Sequence, residues 1–219
     1  MIVALASAKG GVAKTTTAIH LAASLSADSA TLLVDWDKET KSATKWKARI
    51  ESGKDPLPFA VCSPEQMPKL LKDYEHVVID TKAAASKAQL QDLIEGSSLL
   101  IVPTFANIMS LDTLLETIDS LRGLDSSRFR VLLTNVPPKP QKDGDAARAL
   151  IEELGLPIFR TQIRHSKAFE RAAERGLTVG QVRGYEVSSL AANDYETLCE
   201  EIGEIVAANE NAPAVAAGR

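Results

Sequence analysis

Short apolar runs punctuate the chain at residues 2–6, 31–34, 76–79, 98–102 and 130–134. Each is rich in Val, Ile and Leu with little polar alternation, the pattern of a strand buried on both faces in a parallel sheet. Residues 58–62 and 157–161 are weaker candidates of the same kind. Between the runs lie amphipathic stretches over 16–26, 110–122 and 146–154, the last followed by Gly155, a helix stop. Strand–helix alternation of this sort predicts an α/β fold: a doubly wound, mostly parallel sheet with helices on both faces. No repeat or long linker divides it, so residues 1–209 read as a single domain. The Ala/Asn/Pro/Gly-rich stretch 210–219 reads as a disordered tail.

The first strand candidate runs into Ser7-Ala8-Lys9-Gly10-Gly11-Val12-Ala13-Lys14-Thr15-Thr16. A loop between a strand and a helix start, with Gly-Gly and Lys-Thr, is a phosphate cradle. Its amides and the helix N-terminus point at an anion. Gly10, Gly11, Val12, Ala13 and Thr16 line it, Lys14 reaches the β- and γ-phosphates, and the Thr15 hydroxyl binds Mg²⁺. Ala8 and Ala13 stand where such loops usually carry glycine. At Ala13 the substitution is free if φ is negative and costs about 1–2 kcal/mol if φ is positive. Lys9 is a second lysine that the simple loop does not require.

Two acidic strand ends support the site. Val34-Asp35-Trp36-Asp37 closes the second run and Ile79-Asp80-Thr81 the third. Ligands of open α/β sheets sit beyond the carboxyl ends of the strands, where these carboxylates converge on the loop. Asp80, after four mostly apolar residues, has the form of a Mg²⁺-holding Walker B aspartate; Asp35 or Asp37 is placed to orient a water. A lone strand-end aspartate is as readily a helix cap.

Composition narrows the partners. The 219 residues carry a net charge of −4 and are only 5% aromatic, against a globally basic nucleic-acid binder and against base stacking on an aromatic platform. Cys62 and Cys199 form no CxxC pair, so neither a disulfide framework nor a zinc site is expected, and a cytoplasmic setting fits. No apolar run approaches the roughly 18 residues of a spanning helix.

Lys9-Gly10-Gly11-Val12-x-Lys14-Thr15-Thr16, Leu33-Val34-Asp35-x-Asp37 and Val78-Ile79-Asp80-Thr81 resemble the motifs of the ParA/MinD superfamily, deviant Walker-box ATPases. The likeness continues through Val102-Pro103-Thr104, Leu133-Thr134-Asn135-Val136 and Ile163 to Gly176, covering roughly residues 1–205. It implies a slow ATP hydrolase with ATP and Mg²⁺ as cofactors. Lys9 then corresponds to the signature lysine, reaching the partner's nucleotide across an ATP-sandwiched homodimer as an arginine finger does. Asp37 positions the hydrolytic water and Asn135 reads the adenine edge. The chain departs from the family where Lys38-Glu39-Thr40 replaces the frequent Pro-Gln-Gly, and where Lys82 follows Asp80-Thr81 in place of proline.

Superfamily members use ATP to hold nucleoid DNA, membrane or metal clusters. Paired cysteines for a cluster are missing, and residues 184–219 carry seven acids against Arg219 alone, the reverse of a lipid-binding basic helix. Residues 158–183 hold six Arg or Lys against two Glu, with Lys167, Arg171 and Arg175 at helical spacing. Arg164, Lys167, Arg171 and Arg183 are therefore candidate contacts to duplex DNA without sequence preference. The loop motif begins at residue 7, as in the short ParA form. By resemblance, that form associates with the nucleoid and positions plasmids, chromosome regions or carboxysomes (the McdA type) through a ParB-like or McdB-like adaptor. A MinD-like membrane-associated ATPase is the alternative.

Overall fold

The computed structural model describes residues 1–7, 9–50, 56–83, 86–107, 110, 114–116, 118–119, 126–184 and 187–211. Six parallel strands form one sheet in the order β3-β2-β4-β1-β5-β6. They are β1 Ile2–Leu5, β2 Thr31–Asp35, β3 Ala60–Cys62, β4 His76–Asp80, β5 Leu99–Phe105 and β6 Phe129–Thr134. The helices are α1 Lys14–Leu25, α2 Ser42–Ala48, α3 Met67–Leu70, α4 Lys87–Gly96, α5 Asp143–Glu153, α6 Lys167–Arg175 and α7 Val187–Asn211. Of the helix expected over 110–122, the described residues 114–116 and 118–119 are helical, with Leu114 and Ile118 in the core; the rest falls mostly outside the described residues.

Successive side chains of a strand point to opposite faces, and both faces here are dry. Val3 and Leu5 of β1 pack with α1, α2, α6 and α7, while Ala4 packs with α4, α5, Leu114 and Ile118. This two-sided burial is why the strand segments read as unbroken apolar runs. Residues 157–161 do not form a seventh strand. Pro157 offers only its carbonyl, to the Val131 amide at 2.8 Å, and the segment meets β6 at the single bridge Val131–Ile158, where the Phe159 amide donates to Val131 O at 3.0 Å. Of the stretch 210–219, Glu210 and Asn211 belong to α7, and residues 212–219 lie outside the described residues.

The chain leaves β1 for α1 on one face and reaches β5 from β4 through α4 on the other, so the crevice opens at the carboxyl ends of β1 and β4. Helix α2, which follows the acidic end of β2, is docked on α6. The Trp46 indole donates to Leu177 O at 3.0 Å and Arg49 donates to Ala173 O at 2.8 Å. Beneath them His20 of α1 meets Trp46, Phe169 and Tyr195 with ring centroids 5.0–5.9 Å away. Its Nδ1 donates to Thr16 O and its Nε2 accepts from the Val179 amide, a neutral ring that burial holds down to about 4.

Gly176 ends α6 at φ 70°, and a Cβ there would lie 2.7 Å from both Trp46 O and Ile50 N. Gly176→Ala is expected to destabilise the protein by about 2–4 kcal/mol, combining left-handed strain with backbone overlap. Urea unfolding reads this directly; an unchanged midpoint would mean that α2 slides without cost.

Candidate nucleotide site

The loop between β1 and α1 is built as a turn that exposes its backbone. Lys9, Gly10 and Gly11 are solvent-exposed, Ser7 Oγ donates to Lys9 O at 2.8 Å, and Gly11 adopts φ 84°. Ala13 caps α1 at φ 64°, ψ 26°, in the left-handed region, so the strain of about 1–2 kcal/mol applies. Lys14 and Thr15 open the helix, and no acidic residue sits in its first turn to compete for the positive end of the dipole.

Register brings the acids to one level. Asp35 and Asp80 are paired neighbours at the ends of β2 and β4, and Leu5 pairs with Asp80. Thr15 Oγ1 donates to Asp80 Oδ2 at 2.7 Å, joining the loop helix to β4. Asp80 is 1% exposed and Asp35 4%. Burial pushes the Asp80 carboxyl up to about 6, against the Thr15 hydroxyl and Lys14, which pull it down, and with Asp35 and Asp37 pushing it further. Asp35 fulfils the capping alternative: its Oδ2 accepts from the amide and hydroxyl of Thr44 at 2.8 and 2.7 Å in the first turn of α2.

Oδ1 of Asp35 and Oδ1 of Asp80 are both buried without a hydrogen-bond partner. Two orphaned carboxylate oxygens on adjacent strand ends, beside a threonine hydroxyl, are hard donors that suit Mg²⁺. That ion keeps several waters and takes phosphate oxygens, so it needs few protein ligands. When bound, it would neutralise charge on the phosphates. Thr15 and Asp80 would hold it.

Asp37, 8% exposed, lies next to this pair. Burial works to raise its carboxyl. The hydroxyl and amide of Thr40, the Glu39 amide and the Lys14 charge outweigh that and hold it below the usual carboxylate range. Asn135 follows β6 at φ 55°, a left-handed conformation that asparagine tolerates, and its Oδ1 meets His165 Nδ1 at 2.7 Å. His165 carried no ligand spacing in the sequence; only the fold sets it against Asn135.

The basic residues divide. Arg164 donates through Nε and Nη2 to both oxygens of Asp194 at 2.7 and 2.6 Å, and its amide adds a third bond. Its charge is matched inside the chain, so it adds nothing net to the patch proposed from sequence. Lys167, Arg171 and Arg175 are exposed along α6, flanking buried Ala168 and Ala172, with Arg171 paired to Glu174 at 2.8 Å. Arg183 is exposed beyond it.

Asp80 carries a pH signature. Its folded value of about 6 stands above the ordinary 3.8, so the folded state holds the proton between the two. Metal-free stability is then greatest below the unfolded value and falls as pH rises through about 6. Asp80→Asn is expected to be about 2–3 kcal/mol more stable than wild type at pH 8 in chelator, with the advantage gone near pH 4. Equal differences at both pH values in urea unfolding would show that Asp80 is unperturbed.

Comparison with known proteins agrees with this arrangement. The family described as the CobQ/CobB/MinD/ParA nucleotide binding domain matches residues 3–179. A maintenance of carboxysome distribution protein A from Gloeobacter kilaueensis is 37% identical over 207 residues, spanning 92% of this chain and 93% of that one. The MinD cell division protein of Aquifex aeolicus superposes with a TM-score of 0.67 at 17% identity, over 91% of this chain and 97% of that one. A variant of Cyanothece McdA in complex with ATP superposes at 0.64 and 18%, over 94% and 96%. The two structural likenesses establish the fold. With a family match across most of its length and a full-length relative at this identity, the chain belongs to the ParA/MinD family of P-loop ATPases.

Proposed function

We propose that the protein is an ATP-switched positioning ATPase of the carboxysome-distribution type, acting as a dimer on nucleoid DNA. The observation that carries this reading is the full-length kinship with the Gloeobacter kilaueensis protein. The ATP complex of Cyanothece McdA supports the choice of nucleotide. The loop amides and Lys14 bind the phosphates, Thr15 and Asp80 hold Mg²⁺, Asp37 orients water, and Asn135 meets the adenine. Lys9, exposed on the loop, reaches a second protomer's phosphates. A cation supplied in trans makes hydrolysis depend on dimerisation. An adaptor of the ParB or McdB type links the ATPase to its cargo and stimulates turnover, which is slow on its own.

Lys9→Ala is expected to bind nucleotide as wild type does and to lose the ATP-stabilised dimer. Sedimentation with and without ATP decides: a wild type of unchanged mass in ATP overturns the sandwich.

Binding to DNA rests on α6 and Arg183. One such patch on a chain of net charge −4 holds a polyanion weakly. Two patches on one dimer make the second contact intramolecular, at high effective concentration. With about three phosphates neutralised per protomer, log K is expected to fall against log[salt] with a slope of about −5. The double charge reversal Lys167→Glu, Arg171→Glu abolishes the shift of random duplex DNA and leaves ATP-driven dimerisation intact. Retention of the shift by that variant would move the surface elsewhere. Binding to anionic liposomes in place of DNA would favour the membrane alternative.

A further inference from the structure

The loop that follows β2 departs from the family at Lys38-Glu39-Thr40, and its geometry gives that departure a purpose. Asp37 Oδ1 accepts the amides of Glu39 and Thr40 at 3.1 and 2.9 Å. Those two bonds suffice for an aspartate-led turn. The hydroxyl of Thr40 goes further and donates to the other oxygen, Oδ2. A carboxylate bonded through one oxygen can still pivot about its last torsion; one bonded through both cannot. Ionised carboxylates accept at about four lone-pair sites. Three are filled here, and the site left open is on Oδ2.

The surroundings stiffen the clamp. Thr40 has one hydroxyl proton and gives it to Asp37, so the 3.2 Å contact with Ser42 Oγ has Ser42 as the donor. A chain of donors thus runs from Ser42 through Thr40 to Asp37, each bond polarising the next. Glu39 is tied to Lys82 at 3.4 Å, which ties the turn to the end of β4. Both residues stand where the sequence departs from the family.

We propose that Thr40 is a positioning residue for hydrolysis: its hydroxyl fixes Asp37 so that the remaining lone pair of Oδ2 faces the attacking water from one direction. The proposal rests on the reading of Asp37 as the water-orienting group. It makes Thr40 part of the catalytic arrangement through Asp37, with no contact to nucleotide required.

The test is steady-state and single-turnover ATP hydrolysis by the full chain with Mg²⁺, comparing Thr40→Val, Thr40→Ser and Asp37→Ala. Valine keeps the shape of threonine and the turn amides but removes the hydroxyl; serine restores it. Misplacement of a reacting group is costly in rate, so Thr40→Val is expected to lower kcat about tenfold. Its KM and its affinity for a fluorescent ATP analogue stay within about twofold, which also shows that it folds. Thr40→Ser is expected to recover kcat to within about twofold of wild type. A Thr40→Val enzyme with kcat equal to or above wild type overturns the proposal, as does a Thr40→Ser enzyme as slow as the valine variant. Asp37→Ala separates the two levels. Normal hydrolysis by that variant refutes the reading of Asp37 itself, whereas its inactivity beside an unaffected Thr40→Val refutes only the role of Thr40.

Discussion

The parallel register of β2, β4 and β1 is the constraint on which the site depends. Three strands buried on both faces must end together where the apolar runs end, and two of them end in aspartate. Asp35 and Asp80 are thereby held side by side at the water boundary, each with one oxygen that the protein leaves unbonded. Burying like charges next to each other is unfavourable. The Thr15 hydroxyl, Lys14 and the Thr44 pair of donors offset part of it, and the Asp80 carboxyl remains pushed up to about 6. A cation such as Mg²⁺ would complete a site in this condition, and the residues that make it costly are those that would hold the ion.

From that boundary one continuous segment runs away from the site. It begins at Asp37, turns at Thr40, enters α2 under the hold of Asp35 on Thr44, and ends with Trp46 and Arg49 locked to the carboxyl end of α6. Gly176 is needed there because the backbones of the two elements come too close for a side chain. Asp37 and the helix that carries Lys167, Arg171 and Arg175 are therefore ends of one packed unit, with His20 of the loop helix at its centre.

Much of the fold was legible because it rests on patterns the chain states locally. Apolar runs marked every strand, including the weak candidate that became β3, and Lys14-Thr15 marked the loop. What escaped were pairings between distant segments. Nothing near Arg164 announces Asp194, thirty residues away, which binds its guanidinium and takes it out of the basic row. Asp35 and Asp37 look alike in sequence. One proves to be a cap for Thr44, and the other stays beside Lys14, because only the path of the chain after β2 decides which amides each can reach. Residues 157–161 read as a strand by composition, yet Pro157 withholds a donor and the segment keeps a single bridge to β6.

Ala13 shows how a local rule is overruled. A left-handed position favours glycine, and alanine there costs about 1–2 kcal/mol in the folded chain. Glycine would remove that strain but would give the unfolded chain more freedom to lose, about 0.5–1 kcal/mol. The second effect offsets part of the first, and alanine here keeps a net cost that the rest of the fold carries. Gly11 at φ 84° has open space around it, and there the loop bends with its backbone exposed. Ala13 lies one step deeper, at the helix cap, where its carbonyl accepts the Thr17 amide at 2.8 Å and a methyl group obstructs nothing that the helix needs. Both positions are left-handed, and the chain accepts the alanine strain at the helix cap while keeping glycine at the exposed bend.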